Sequence, residues 1–195
     1  MRTASVHRTT RETDVELVLE LDGTGQHSLQ TGLAFLDHML AQLAVHGLFD
    51  LRVQARGDLD VDAHHTVEDV ALALGTALDQ ALGDRSGIVR MGAQHVPFDE
   101  SLALVAIDLS GRPHCVISVP WTGPAVGSLP VTLIEHFFAS LAVTSRTTIH
   151  AHIISGRDDH HKAEALFKAL GRALDQAVRL DARRQGLIPS SKGTL

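Results

Sequence analysis

His64-His65-Thr66-Val67-Glu68 and His160-His161-Lys162-Ala163-Glu164 spell the same His-His-x-x-Glu pattern twice, 96 residues apart. Imidazole and carboxylate together make a ligand set for transition metals. Each copy opens an apolar run with helical spacing. Residues three and four apart on a helix share a face, so each glutamate stands beside one or other histidine of its copy. Two consecutive histidines diverge by roughly 100° around the axis, which suits them poorly to share one ion and well to serve two. A single copy reads equally as a pair of partly exposed histidines at a helix start; two copies in register favour metal. The positive end of the helix dipole disfavours imidazolium, so neutral, ligating rings are expected there.

Further matches extend the repeat. His38-x-x-Ala41-x-Leu43-Ala44-Val45 corresponds to His136-x-x-Ala139-x-Leu141-Ala142-Val143 at an offset of 98, and Ala-Leu-Asp-Gln-Ala at 77–81 returns at 173–177. The duplication thus offers eight ligand candidates: His38, His64, His65, Glu68, His136, His160, His161 and Glu164. Two sites of about four protein ligands each would use them all and leave positions open for substrate. With carboxylates present and no thiolate, six-coordinate Mn²⁺ suits the set better than structural Zn²⁺.

One difference between the copies bears on substrate. Lys168 follows Glu164 by four residues and His161 by seven, on their face, whereas the matching position in the first copy is Leu72. A cation on one side only points to an anionic substrate. Arg90, Arg112 after the Gly111 turn, and the tail Ser190-Ser191-Lys192-Gly193 are further anion-binding candidates. Each reads equally as solvated surface or disordered tail, and Glu12, just ahead of the first strand, is as ambiguous.

The elements that position these residues follow from periodicity. In the first half, 14–22 is a strand with one buried face, 27–30 its possible hairpin partner, 33–47 a helix ended by Gly47, and 50–56 a strand. The acidic Asp58/Asp60/Asp62 stretch leads to the first His-His helix, ending near Leu82. In the second half, strands at 101–109 and 114–119 precede a helix at 131–143, a strand at 147–154 and the second His-His helix, to about Leu180. Each half is β-β-α-β-α or close to it. The expected class is α+β, an internally duplicated domain whose similar halves are each a four-stranded mixed sheet with helices on one face. The units are 1–88, 89–188 and a tail at 189–195, with 83–98 joining the halves.

The 195 residues are 44% hydrophobic and 21% charged, ordinary for a globular protein. The net charge of −6, without a basic cluster, argues against nucleic acid and anionic membrane as partners. Six Phe, one Trp and no Tyr leave little to stack bases or sugars on. The lone Cys115 excludes an intrachain disulfide, and with no signal-like or spanning apolar run the expected location is the cytoplasm.

Phe35-Leu36-Asp37-His38-Met39, Asp62-x-His64-His65-Thr66-x-Glu68-Asp69, Gly156-x-Asp158-x-His160-His161-x-x-Glu164 and Pro189-Ser190-Ser191-Lys192-Gly193 resemble the imidazoleglycerol-phosphate dehydratase family over essentially the whole chain. The resemblance implies a hydro-lyase of histidine biosynthesis that converts imidazole glycerol phosphate to imidazole acetol phosphate. It also implies a tandem-repeat fold, two Mn²⁺ per subunit and a homo-oligomer, an octahedral assembly of two dozen subunits built from trimers with interfacial metal sites. Carried over by position, the eight residues above are the metal ligands. Arg90, Arg112, Lys168, Ser190 and Lys192 contact phosphate, and Glu12 is the acid/base carboxylate, grouped as catalytic with the ligands Glu164 and His64. The chemistry implied is a metal-bound imidazolate that expels hydroxyl through a diazafulvene-like intermediate. From ligand chemistry alone two other classes compete, a dinuclear phosphate-ester hydrolase and a metal-storing assembly. The Lys168/Leu72 difference disfavours storage.

Overall fold

In the computed structural model, which describes residues 2–184 and 186–195, the period-two stretches become strands with one buried face. β1 (Thr3–Thr9), β2 (Thr13–Glu20), β3 (His27–Gln30) and β4 (Asp50–Gly57) form a sheet in the order β1-β2-β4-β3. Val15, Leu17 and Leu19 of β2 and Leu51, Val53 and Ala55 of β4 are buried, while Glu16 and Gln54 face out. The second half repeats the plan with β5 (Met91–Phe98), β6 (Ser101–Asp108), β7 (His114–Ser118) and, beyond a small hairpin of β8 (Ala125–Val126) and β9 (Leu129–Pro130), β10 (Thr148–Ser155). Its order is β5-β6-β10-β7. Both sheets are mixed, so the expected α+β duplication is what the chain forms.

Two expectations are corrected. β3 is not the hairpin partner of β2; it pairs parallel with β4. The Asp50 carboxylate holds the intervening turn there, accepting the N–H groups of Thr24 at 2.7 Å and Gln26 at 2.9 Å. Residues 83–98 are not merely a join, because β5 runs through them as an edge strand. Pro97 and Gly92 speak against a central strand but are tolerated at an edge, and a Cβ on Gly92 would meet the Ala173 carbonyl carbon at 3.0 Å. β1 likewise escaped notice, having only Ala4 and Val6 as apolar inward residues.

One helix ends where expected, with its cap one residue further on. Helix α1 (Ala34–Gly47) retains Gly47 as its last residue, and the left-handed cap falls on Leu48, φ 57°. Its counterpart α3 (Val131–Ser145) is capped by Arg146 in the same way, φ 52°. Gly47 serves packing instead: a Cβ there would lie 3.0 Å from the Gly171 carbonyl oxygen.

The remaining helices, α2 (His64–Leu82) and α4 (Asp159–Val178), carry the His-His pairs. All four helices line the inner faces of the sheets and pack across the halves, α1 on α4 and α2 on α3. Matched glycines permit the approach. A Cβ on Gly75 of α2 would fall 2.7 Å from the Leu141 carbonyl oxygen of α3, and one on Gly171 of α4 would fall 2.6 Å from that of Leu43 in α1. Both members of each glycine–carbonyl pair are equivalents in the repeat, so one contact is made twice. A single hydrophobic core spans both halves. Arg85, 2% exposed, also ties them, pairing with Asp79 and donating to the Ser145 carbonyl at 2.8 Å. No helix among the described residues is long and apolar enough to cross a membrane.

Candidate metal centre

Because α1 pairs with α4 and α2 with α3, the ligand candidates assemble across the repeat. His38 of α1 meets His160 and Glu164 of α4, and His64 and Glu68 of α2 meet His136 of α3. In each trio the ligand atoms lie within 4.8 Å of one another. Glu164 is the more deeply set carboxylate, 7% exposed. Its Oε2 lies 3.1 Å from His38 Nε2 and 3.2 Å from His160 Nε2, and its Oε1 accepts from Lys168 Nζ at 2.8 Å. Burial alone would raise the Glu164 carboxyl, but Lys168 and then His38 outweigh it and hold it below the usual range. The other trio is looser: Glu68 lies 3.4 Å from His136 Nε2 and 4.0 Å from His64 Nε2.

The donor chemistry of both trios fits a divalent cation. His136 Nε2 is buried without a hydrogen-bond partner among the described residues, an arrangement that costs free energy unless the lone pair meets a hydrogen-bond donor or a metal ion. Phe35 walls the first trio, its ring 5.3 Å from that of His160. Both trios also sit where α2 and α4 begin, at N-terminal helix ends.

His65 and His161 stand apart from the trios, as the divergence of neighbouring helical positions predicts. Each ring is instead bound by a carboxylate that sequence reading passed over. His65 Nδ1 lies 3.0 Å from Asp58, and His161 Nδ1 lies 2.7 Å from Glu100. These hydrogen bonds, ahead of burial in the opposite sense, raise both histidines above their ordinary value. A signal for Glu100 existed: it precedes Ser101 at the start of β6 as Glu12 precedes Thr13 at the start of β2.

The anion-binding candidates divide into two groups. Lys168 is at the metal end, on Glu164 and 3.6 Å over the Phe98 ring. Glu12 also lies at that end, in the exposed turn before β2; its carbonyl accepts from the Asp58 N–H at 3.1 Å, next to His65. Arg90, Arg112, Ser190 and Lys192 lie together at the far end of the second sheet. Arg90, φ 80°, holds Asp108 through Nε at 2.7 Å and Nη2 at 2.9 Å, and donates from Nη1 to the Pro189 carbonyl at 2.7 Å. The tail then turns through Ser190, whose Oγ accepts the Lys192 N–H at 3.2 Å. It ends against Gly111, where a Cβ would lie 2.7 Å from the Leu195 carbonyl carbon. An eight-residue strand, β5, separates Arg90 from Phe98, roughly 25 Å. One chain does not bring the two groups together.

Cys115 takes no part: burial, then the Glu135 charge, push its thiol up to about 11. On the second half alone, Trp121 Nε1 donates to Glu135 at 2.9 Å and the fully buried Lys162 donates to the Pro120 carbonyl and to Asp159, each at 2.8 Å. These contacts fasten the segment leading into β8 beside His136 and the start of α4.

Comparison with known proteins gives consistent matches along the chain. Residues 31–174 match the family model described as imidazoleglycerol-phosphate dehydratase. An imidazoleglycerol-phosphate dehydratase of Roseiflexus sp. is 57% identical over 194 residues, covering 100% of this chain and 98% of its own length. That of Chloroflexus aggregans is 58% identical, covering 100% and 95%. Among solved structures, the Staphylococcus aureus enzyme superposes with a TM-score of 0.83 at 32% identity, over 92% of this chain and 99% of its own. A complex of the Pyrococcus furiosus protein gives 0.85 at 35%, over 97% and 100%.

Proposed function

The chain belongs to the imidazoleglycerol-phosphate dehydratase family, whose reaction is a dehydration in histidine biosynthesis, and on that premise we propose how its residues convert D-erythro-imidazole glycerol phosphate to imidazole acetol phosphate. The observation that carries the reading is the pair of His/His/Glu trios built across the two halves. His38, His160 and Glu164 would hold one Mn²⁺ and His64, Glu68 and His136 a second, with His65 and His161 completing sites from a neighbouring copy. Two such cations would supply Lewis acidity to the substrate imidazole, favouring its deprotonated form, whose electron density can expel hydroxide from the neighbouring carbon.

Glu12 is the base. Its carboxylate is exposed and accepts no hydrogen bond among the described residues. It removes the proton from the carbon next to the one that lost hydroxyl, leaving an enol that becomes the ketone. Lys168, Arg90, Arg112, Ser190 and Lys192 bind the phosphate, with charge-assisted hydrogen bonds from the cations. Lys168 and the tail group stand far apart in one chain, so a complete site draws on more than one subunit. That supports a homo-oligomer; the octahedral 24-mer of trimers with metal at its interfaces, and the cytoplasm as its location, follow from the family resemblance. Metal binding then contributes to assembly as well as to the fold. Chelation is expected to shrink the assembly in light scattering, and Mn²⁺ to rebuild it.

The deciding experiment incubates the Mn²⁺-loaded protein with imidazole glycerol phosphate. Formation of the ketone without free phosphate is expected. Release of inorganic phosphate instead would make it a hydrolase, and no reaction would remove the assignment.

A further inference from the structure

Each trio takes one histidine of a His-His pair and leaves the other outside it. The two outside rings share one arrangement. His65 Nδ1 lies 3.2 and 3.0 Å from the two oxygens of Asp58, and His161 Nδ1 lies 2.7 Å from Glu100 Oε2. A carboxylate only accepts, so Nδ1 must donate, and a neutral ring so held has its lone pair at Nε2. Neither Nε2 is hydrogen-bonded among the described residues; that of His161 has Asp99 nearby at 3.7 Å, beyond hydrogen-bond reach. Both side chains are part-exposed, 39% for His65 and 30% for His161.

The partners are not copies of one another. Asp58 lies between β4 and α2, whereas Glu100 lies in the β5–β6 turn, at the place Glu12 holds in the first half. Repetition of the sequence therefore does not account for the shared geometry; two unrelated carboxylates reach the same ring atom. Phe98 adds a second restraint on His161, edge-on at 5.1 Å.

We propose that Asp58 and Glu100 are positioning residues, which lock His65 and His161 as Nε2 donors aimed out of the chain toward a divalent cation shared with a second copy. This rests on the reading above that both histidines are ligands. Carboxylate support of a ligating imidazole fixes its tautomer and orientation, and its loss weakens metal binding on the order of 10- to 100-fold.

The test strips the intact protein, reloads it with Mn²⁺ and counts free ion by electron paramagnetic resonance. Asp58→Ala is the cleaner variant, because Glu100 also accepts the N–H groups of Arg157 at 3.0 Å and Asp158 at 2.9 Å. Asp58→Ala and Glu100→Ala should each weaken Mn²⁺ binding at a site by about tenfold or more. Asp58→Asn and Glu100→Gln, which keep an acceptor oxygen, should recover most of it, with the melting of the stripped protein unchanged in all that bind weakly. Two results would overturn the proposal: alanine variants that bind like the wild type, or a loss that follows a lower melting point and is not rescued by Asn or Gln. His65→Ala and His161→Ala separate the two layers of argument. If they lose no ion, the ligand assignment itself fails; if they lose one while Asp58→Ala and Glu100→Ala do not, only the positioning role fails.

Discussion

The two halves share strand order, helix packing and ligand pattern, yet they treat their acidic groups in opposite ways. In the second half Glu164 is enclosed by two imidazoles and Lys168, and Glu100 accepts four hydrogen bonds, from Ser101 Oγ, His161 and the N–H groups of Arg157 and Asp158. The N–H of Asp158, then His161 and the N–H of Arg157, depress its carboxyl far below the usual range. In the first half Glu68 has Leu72 where Lys168 would stand, and Glu12 reaches solvent uncommitted. Buried Lys162, with the segment it fastens, likewise has only Thr66 as its counterpart. One half is tied down and the other left open, which teaches that duplication here supplied a frame twice and an open carboxylate at this place once.

The largest test of that contrast is Glu12→Gln. Removing a general base typically lowers turnover about 10²- to 10⁴-fold, and stopped assays should show it while metal content and assembly size stay at wild-type values. A variant that also lost its metal would make Glu12 a ligand, and the two halves more alike than described.

Lys162→Met probes the tied-down side. It leaves Asp159 without its cation, and loss of one member of a buried pair costs about 3 kcal/mol, read as a lower denaturant midpoint. Burial would raise the Asp159 carboxyl, but Lys162 and the N–H groups of Gly123 and Thr122 hold it at about 2. Because that value is depressed, the stabilisation is present above the ordinary carboxylate range and fades as pH falls through about 2. The deficit of the variant should narrow in acid.

Lys168→Ala, or removal of residues 190–195, should lower kcat/KM about tenfold to hundredfold, matching roughly 1.5–3 kcal/mol for a charge-assisted contact to phosphate. Steady-state kinetics should place the change mainly in KM, with folding little disturbed. Unchanged kinetics would return the tail to mere surface.

The smallest effect belongs to the position that matches Lys162. Thr66 Oγ1 is buried without a hydrogen-bond partner among the described residues, so Thr66→Val removes an unsatisfied group. Stability should be equal to wild type or higher by up to about 1 kcal/mol. A marked loss in the unfolding midpoint would reveal a partner for that hydroxyl.

Much of this was legible in the residues. Helical spacing places His64 with Glu68 and His160 with Glu164, and alternation gives away β2, β4, β6 and β10. What spacing does not reveal is partnership across the halves. His38 and Glu164 are 126 positions apart, and only the glycine-mediated approach of α1 to α4 joins them. The carboxylates on His65 and His161 were hidden for another reason. They come from a connection and a turn, where no period marks a residue, and Asp58 was lost among neighbouring aspartates. β5 was masked by Gly92 and Pro97, whose presence reflects a helix packed close on one side and a sheet edge on the other.

The glycine contact made twice, Gly75 on α3 and Gly171 on α1, has a consequence for how such a site can change. It is the contact of a two-fold dimer, drawn within one chain. In a dimer of identical halves, every codon would be read into both sites at once, and a lysine beside one carboxylate would stand beside the other as well. Joined in tandem, each site has codons of its own. Lys168 and Leu72, or Lys162 and Thr66, are settings that identical halves could never hold together.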